Sequence, residues 1–236
     1  MTEQLSQLSL FGVQETNLVW PNILTPAALQ AVSQDQGRMI LFTGHRAVLA
    51  LGHYLVTWRA MEEEAIVFID GANFFDLSLI TKLSKQLQKD PRRILERIRI
   101  SRAFTVHQLE AVIGKRLDDA LNKYSSRLCF ISGLLDTFFD EEVPLWEAAR
   151  ILNRVMRRLR VLVDQGCRIV VLAPPSSAPV MKRMGLVSLA MKSSDRIFTL
   201  SQDEESLILK DETKTAGGRQ WVLPTLQLSM KCYAPR

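Results

Sequence analysis

Cysteine and histidine are scarce in this chain, with three of each among 236 residues. Cys129, Cys167 and Cys232 lie far apart and are odd in number, and His45, His53 and His107 show no ligand spacing. A zinc or iron centre and a disulfide framework are therefore not expected, and the cysteines read as reduced core or edge residues of a cytosolic protein. There is no run of eighteen apolar residues and no basic segment leading into an apolar one, so neither a membrane-spanning nor a secreted chain is expected. Internal repeats and low-complexity tracts are also absent. What is present is 47% hydrophobic and 23% charged residues, enough to bury one large core. The expected organisation is a polar tail over residues 1–20 followed by a single domain over 21–236.

Thr25 and Pro26 start a short predicted helix that runs to about Gln34, with Thr as N-cap and Pro at its first position. Arg38 to Gly44 is a short apolar run ending in glycine, and a helical stretch follows from about Ala47 to Glu62. That strand, turn and helix have the outline of a phosphate-binding loop. Laid on G-x-x-x-x-G-K-[ST], the positions after Gly44 put Leu49 at the second glycine, Ala50 at the lysine and Leu51 at the metal-binding hydroxyl. No charge or hydroxyl is left there for a triphosphate.

Further landmarks follow in order. Ile66 to Asp70 reads as a buried strand ending in a turn, a helix is expected from about Leu77 to Gln88, and another over residues 106–121. Leu128 to Ser132 and Arg168 to Ala173 read as core strands, with a long helix from Pro144 to Asp164 between them. After Met191 the pattern turns antiparallel: strands at Arg196 to Leu200 and Leu207 to Lys210, and a closing strand at Leu226 to Tyr233. The segment Arg102-Ala-Phe-Thr-Val-His-Gln108 closely resembles the R-A-F-x-x-x-H-Q stretch of recombinases, with one residue fewer between Phe104 and His107. From about Arg38 onward the chain resembles a RecA-family ATPase core. The implied fold is α/β, a mostly parallel twisted sheet with helices on both faces and a C-terminal antiparallel extension.

Carried over by position, the family's water-activating Glu falls on Ala72, its Walker B Asp on Ser132 and its polar Gln near Pro175. Phosphoryl transfer needs a phosphate cradle, a lysine, a Mg²⁺ ligand and a water-positioning group together. With Gly44, Leu49, Ala50, Leu51, Ala72 and Ser132 forming a degenerate nucleotide site, the resemblance implies a pseudo-ATPase without catalytic residues, cofactor or metal.

Gln7-Leu-Ser-Leu-Phe11 matches the pentapeptide Q-L-[SD]-L-F by which bacterial proteins dock on the replication sliding clamp. By that resemblance Gln7 bonds at a pocket rim while Leu8, Leu10 and Phe11 supply the apolar part. Burying Leu10 and Phe11 is worth roughly 1.5–3 kcal/mol each before ordering costs, so a lone peptide would bind at about micromolar strength. The same side chains also fit packing on the chain's own core or on a neighbouring subunit.

The net charge of +5 is modest, so its placement matters more than its size. Arg150, Arg154, Arg157 and Arg158 recur at helical spacing on the 144–164 helix, opposite Ile151, Leu152, Val155, Leu159 and Leu162. They are candidate phosphate contacts, with Lys182 and Arg183 next, although the row equally fits a solvated outer face. Lys82, Lys85 and Lys89 make a second row that continues into Arg92 and Arg93. Asp136, Asp140, Glu141 and Glu142 would repel phosphate from the loop after residue 132, and prolines 174, 175 and 179 stiffen the next one. Salt-sensitive backbone binding is the form of nucleic-acid contact expected.

Together these readings imply a non-catalytic accessory or scaffold protein of bacterial DNA repair, recombination or translesion synthesis, cytoplasmic and nucleoid-associated. Its expected partners are the sliding clamp, a repair polymerase or RecA-family protein, and the DNA backbone. It resembles in kind the RecA-like accessory subunit of mutagenic translesion complexes. Two other readings stand beside it: a RecA-fold cell-division inhibitor, and an ATPase with an unrecognised nucleotide site.

Overall fold

The computed structural model describes residues 38–62, 64–174, 183–203, 206–213 and 220–224. The tail peptide, the helix expected at Thr25, Pro175, Lys182, Cys232 and the strand expected at Leu226 to Tyr233 lie outside them.

Eight strands form one sheet: β1 (Met39–Gly44), β2 (Ile66–Asp70), β3 (Ile98–Arg102), β4 (Leu128–Ser132), β5 (Arg168–Ala173), β6 (Arg196–Gln202), β7 (Ser206–Asp211) and β8 (Gln220–Pro224). Their order is β3-β2-β4-β5-β1-β6-β7-β8. The pairings from β3 across to β6 are parallel, and β6 to β7 and β7 to β8 are antiparallel. This is the α/β class read from the sequence, with β8 closing the described sheet at Gln220–Pro224.

Strand side chains alternate between two cores. Met39, Leu41, Val67, Ile69, Cys129, Ile131, Ile169 and Val171 face one side, and Ile40, Phe42, Ile66, Phe68, Leu128, Phe130, Val170 and Leu172 the other. A sheet buried on both faces needs apolar residues at every position, which is why these strands read as unbroken apolar runs.

Helices α1 (Val48–Met61), α2 (Leu77–Gln86) and α3 (Pro91–Leu95) cover the second face. The first face is covered by α4 (Val106–Ala111), a π-helical turn (Val112–Arg116), α5 (Leu117–Lys123), α6 (Leu145–Asp164) and α7 (Met184–Ser193). Every residue of α1 from Val48 to Thr57 is buried. A helix with no polar stripe must lie inside the domain. On α6 the residues Ile151, Leu152, Val155, Leu159 and Leu162 are buried, as their spacing requires.

Local chemistry sets the ends of these elements. Asp76 caps α2 by accepting from Leu79 N at 3.0 Å, and Asp90 caps α3 with Pro91 at the first helical position. The helix expected to reach Gln88 stops at Gln86, because Gln88 takes a left-handed φ of 55° and starts the turn into α3, which was not expected. The recombinase-like stretch has a capping role here. Thr105 Oγ1 accepts from Gln108 N at 3.2 Å, and Gln108 Oε1 accepts from Phe104 N at 2.8 Å. At the opposite end of the sheet Glu64 pairs with both Arg59 and Arg168, two guanidiniums buried to 8% and 7% exposure. No helix among the described residues is long and apolar enough to cross a membrane.

Candidate functional site

Ligands of open α/β sheets bind beyond the carboxyl ends of the parallel strands, where here the loops after β1, β2 and β4 meet. In the first loop, Gly44 has φ +92°, and a Cβ on it would lie 2.1 Å from Leu200 O of β6. The glycine is thus required by the neighbouring strand. Four of the amides that follow are occupied. His45 N donates to Leu200 O at 2.5 Å, Ala47 N to His45 Nδ1 at 3.2 Å, Val48 N to His45 O at 3.0 Å and Leu49 N to Arg46 O at 3.1 Å. A phosphate cradle works by aiming free N–H groups at the anion. Leu49, Ala50 and Leu51 are 2%, 1% and 4% exposed, with the two leucine side chains packed in the second core.

The second loop is organised by Asp70, which has no exposed surface. Its carboxylate accepts from Phe74 N at 2.9 Å, Phe75 N at 3.0 Å and Ser132 Oγ at 2.9 Å, and Arg102 Nε lies 3.5 Å away. The buried charge is therefore fully satisfied and holds the turn through Asn73, whose φ is 51°. Ser132, expected from the resemblance at the Walker B position, serves Asp70. Ala72, expected from the resemblance at the water-activating position, packs on Gly133 so closely that a Cβ on that glycine would lie 2.3 Å from the Ala72 Cβ. Gly133 has φ +62°, and its amide donates to Leu172 O at 2.8 Å.

His53 ties this loop to α1. Its Nδ1 lies 2.7 Å from Leu49 O, and a carbonyl can only accept, so Nδ1 carries the proton. Nε2 then accepts from Asp76 N at 2.8 Å, and Phe68, Phe74 and Phe75 surround the ring. Burial pushes its pKa down, opposed by the Leu49 carbonyl and by Asp76 and Asp70. It is a neutral clip between two helices.

The loop after β4 enters a 3₁₀ turn, Asp136–Phe139. Burial raises the Asp136 carboxyl pKa while the Arg46 charge lowers it, and Arg46 lies 5.7 Å from the Phe74 ring centre. Asp136 Oδ2 and Thr137 Oγ1 are buried without a hydrogen-bond partner among the described residues. Arg183 donates to Phe138 O at 2.6 Å and Val143 O at 2.7 Å, which makes it a strut for this loop and leaves less of it for phosphate. The hydroxyl that does meet a carboxylate in these loops, Ser132 on Asp70, is buried with it and out of a substrate's reach. No protein-family model matches the chain.

The two cationic rows differ. On α6, Arg154 Nε lies 2.5 Å from Glu110 Oε1, Arg158 pairs with Asp118, and Arg157 Nε donates to Asn153 O at 3.3 Å. Arg150 lies over the Trp146 ring, 5.3 Å from its centre. Two of the four expected phosphate contacts therefore hold α6 to the α4–α5 helical stretch. Lys82, Lys85, Lys89, Arg92 and Arg93 are exposed, and none has a carboxylate within ion-pair distance among the described residues. Gln7, Leu8, Leu10, Phe11 and Lys182 lie outside the described residues.

Sequence reading missed the roles of His53, Arg46 and Arg102. The signal for His53 was present, a lone imidazole in an otherwise apolar helix. Arg46 and Arg102 carry no local sign of their partners, since each meets a residue at least 28 positions away.

Proposed function

We propose that this chain is a non-catalytic accessory or scaffold protein of bacterial DNA repair, recombination or translesion synthesis. It is tethered to the sliding clamp through Gln7 to Phe11 and works in the cytoplasm at the nucleoid. One observation carries the non-catalytic part. The loop after β1 has the amides of His45, Ala47, Val48 and Leu49 bonded internally and Leu49, Ala50 and Leu51 buried, where the RecA-like resemblance puts the phosphate cradle, lysine and metal ligand. Ala72 against Gly133 and Ser132 bonded to Asp70 support the same reading at the acidic positions. The partner assignment rests on the pentapeptide alone, with a repair polymerase or RecA-family protein as the further partner scaffolded there.

Calorimetry with Mg²⁺-ATP tests the first part: no binding tighter than millimolar is expected, and a micromolar dissociation constant would overturn it. For the tether, Leu10→Ala with Phe11→Ala should abolish binding to a bacterial clamp while leaving the melting temperature almost unchanged. A large loss of stability, with no clamp binding by the parent chain, would instead make the segment structural.

A further inference from the structure

Cations without a carboxylate partner among the described residues gather around one margin of the sheet. β3 is an edge strand, with Arg99 and Ile100 exposed, while Arg102 at its end reaches Asp70. α2 presents Lys82 and Lys85 opposite its buried Ile80, Leu83 and Ser84, so the lysines point away from the core. Lys89, Arg92 and Arg93 follow in the turn and in α3, which leads directly into β3. On the other flank, Lys123 at the end of α5 meets the same margin through Tyr124, whose ring centre lies 5.4 Å from Lys123 Nζ and 4.8 Å from the Arg99 guanidinium. Residues 82–99 contain seven Lys and Arg against Asp90 and Glu96, a net +5 that equals the excess of the whole chain. The rest of the molecule balances its charges, and this margin does not.

We propose that the β3 margin, through Lys85, Lys89, Arg92, Arg93, Arg99 and Lys123, binds the phosphate backbone of duplex nucleic acid. Duplex DNA carries a charge about every 1.7 Å of its axis, and neutralising it releases counterions, a gain largest for cations that no internal carboxylate already neutralises. The margin offers little of what other partners need. Ile100 on β3 is exposed at 45% but stands among six cations, and none of residues 82–99 is an exposed large apolar side chain, whereas protein interfaces are built on an apolar centre. Its aromatic ring, Tyr124, is already engaged by two cations, Arg99 and Lys123, which compete with an unpaired base for the ring. What remains is contact with phosphates, which sets position and carries no sequence information.

The test is fluorescence anisotropy of the full chain with a labelled mixed-sequence DNA duplex over a salt series. Affinity should fall linearly on logarithmic axes as salt rises. Lys85→Glu, Arg92→Glu and Arg93→Glu together should weaken binding at least about tenfold and make the salt slope shallower by about one for each phosphate no longer neutralised. Arg150→Glu with Arg157→Glu, on the exposed part of α6, should leave binding unchanged. All five side chains are exposed, and a thermal melt checks that each variant is folded. Should the reversals unfold the chain, Lys85→Gln with Lys89→Gln gives the same reading with a smaller effect. No duplex binding at low salt, equal binding by the margin variant, or an equal loss from the α6 variant would each overturn the proposal. Tight binding of an acidic polypeptide but not of the duplex would overturn it in favour of a protein-docking face. No clamp takes part in the assay, so its outcome is independent of the tether.

Discussion

Helix α6 and the β3 margin carry similar numbers of cations, yet they behave as different kinds of surface. The α6 arginines face a neighbouring helix that supplies Glu110 and Asp118 opposite Arg154 and Arg158, while Arg160 finds Asp195 at 2.7 Å and Asp164 at 3.5 Å. The β3 margin has no helix beyond it among the described residues, because β3 ends the sheet, and its lysines and arginines face solvent. A row of positive charge at helical spacing is therefore not by itself a phosphate site. What decides is whether the next element in space brings carboxylates. The buried extreme is Glu64 between Arg59 and Arg168, where water cannot replace a missing partner.

That gradient from buried to paired to free orders the expected effects. Glu64→Ala should give the largest, because it leaves Arg168 buried without this carboxylate and Arg59 with only Glu62. Removing one partner of a buried pair costs about 3–5 kcal/mol. Chemical denaturation measures it, and a loss near zero would mean that water reaches these guanidiniums, removing the contrast with the surface rows. Asp118→Ala should cost no more than about 1 kcal/mol, since its side chain and that of Arg158 are about a third exposed and the pair is screened. Lys85→Glu should change stability by only a few tenths of a kcal/mol, upward, because it removes repulsion from Lys82 one turn away. A large loss there would reveal a partner for Lys85 and break the comparison from the other side.

Which parts of this could be read in advance follows from which interactions are local. The core strands were legible because burial on both faces demands unbroken apolar runs, as in Ile66 to Ile69 and Ile169 to Leu172. Helix α6 was legible through its amphipathic spacing. Helix α3 was missed although Asp90-Pro91 is a helix-start signal, because its five residues are too few for a periodic pattern. The π turn at Val112–Arg116 reads as ordinary helix in the sequence, since one extra residue in a turn leaves no mark on composition. The division of the cations into paired and free rows was not legible at all. Glu110 and Arg154 are 44 residues apart, and only the crossing of helices brings them together.

The smallest expected effect tests whether that pairing persists in solution, and it does so through pH. The Arg154 hydrogen bond holds the Glu110 carboxyl below its ordinary value near 4.5, with partial burial opposing and the charges of Arg154, His107 and Arg150 assisting. A carboxyl depressed in the folded state adds stability that is complete above its unfolded value and is lost as pH falls through the folded one. Following the Glu110 side-chain carboxyl carbon by NMR should place its midpoint below that of an unpaired glutamate. In Arg154→Gln the midpoint should move back up most of the way, the remainder being due to His107 and Arg150. Added salt should shift the parent's midpoint in the same direction but by less, because the ion pair is only partly open to screening. If the midpoint is the same in the parent and in Arg154→Gln, the ion pair does not form in water. Arg154 would then be as open to phosphate as Arg92 or Arg93, and the β3 margin would lose its distinction from α6 as the cationic surface without internal partners.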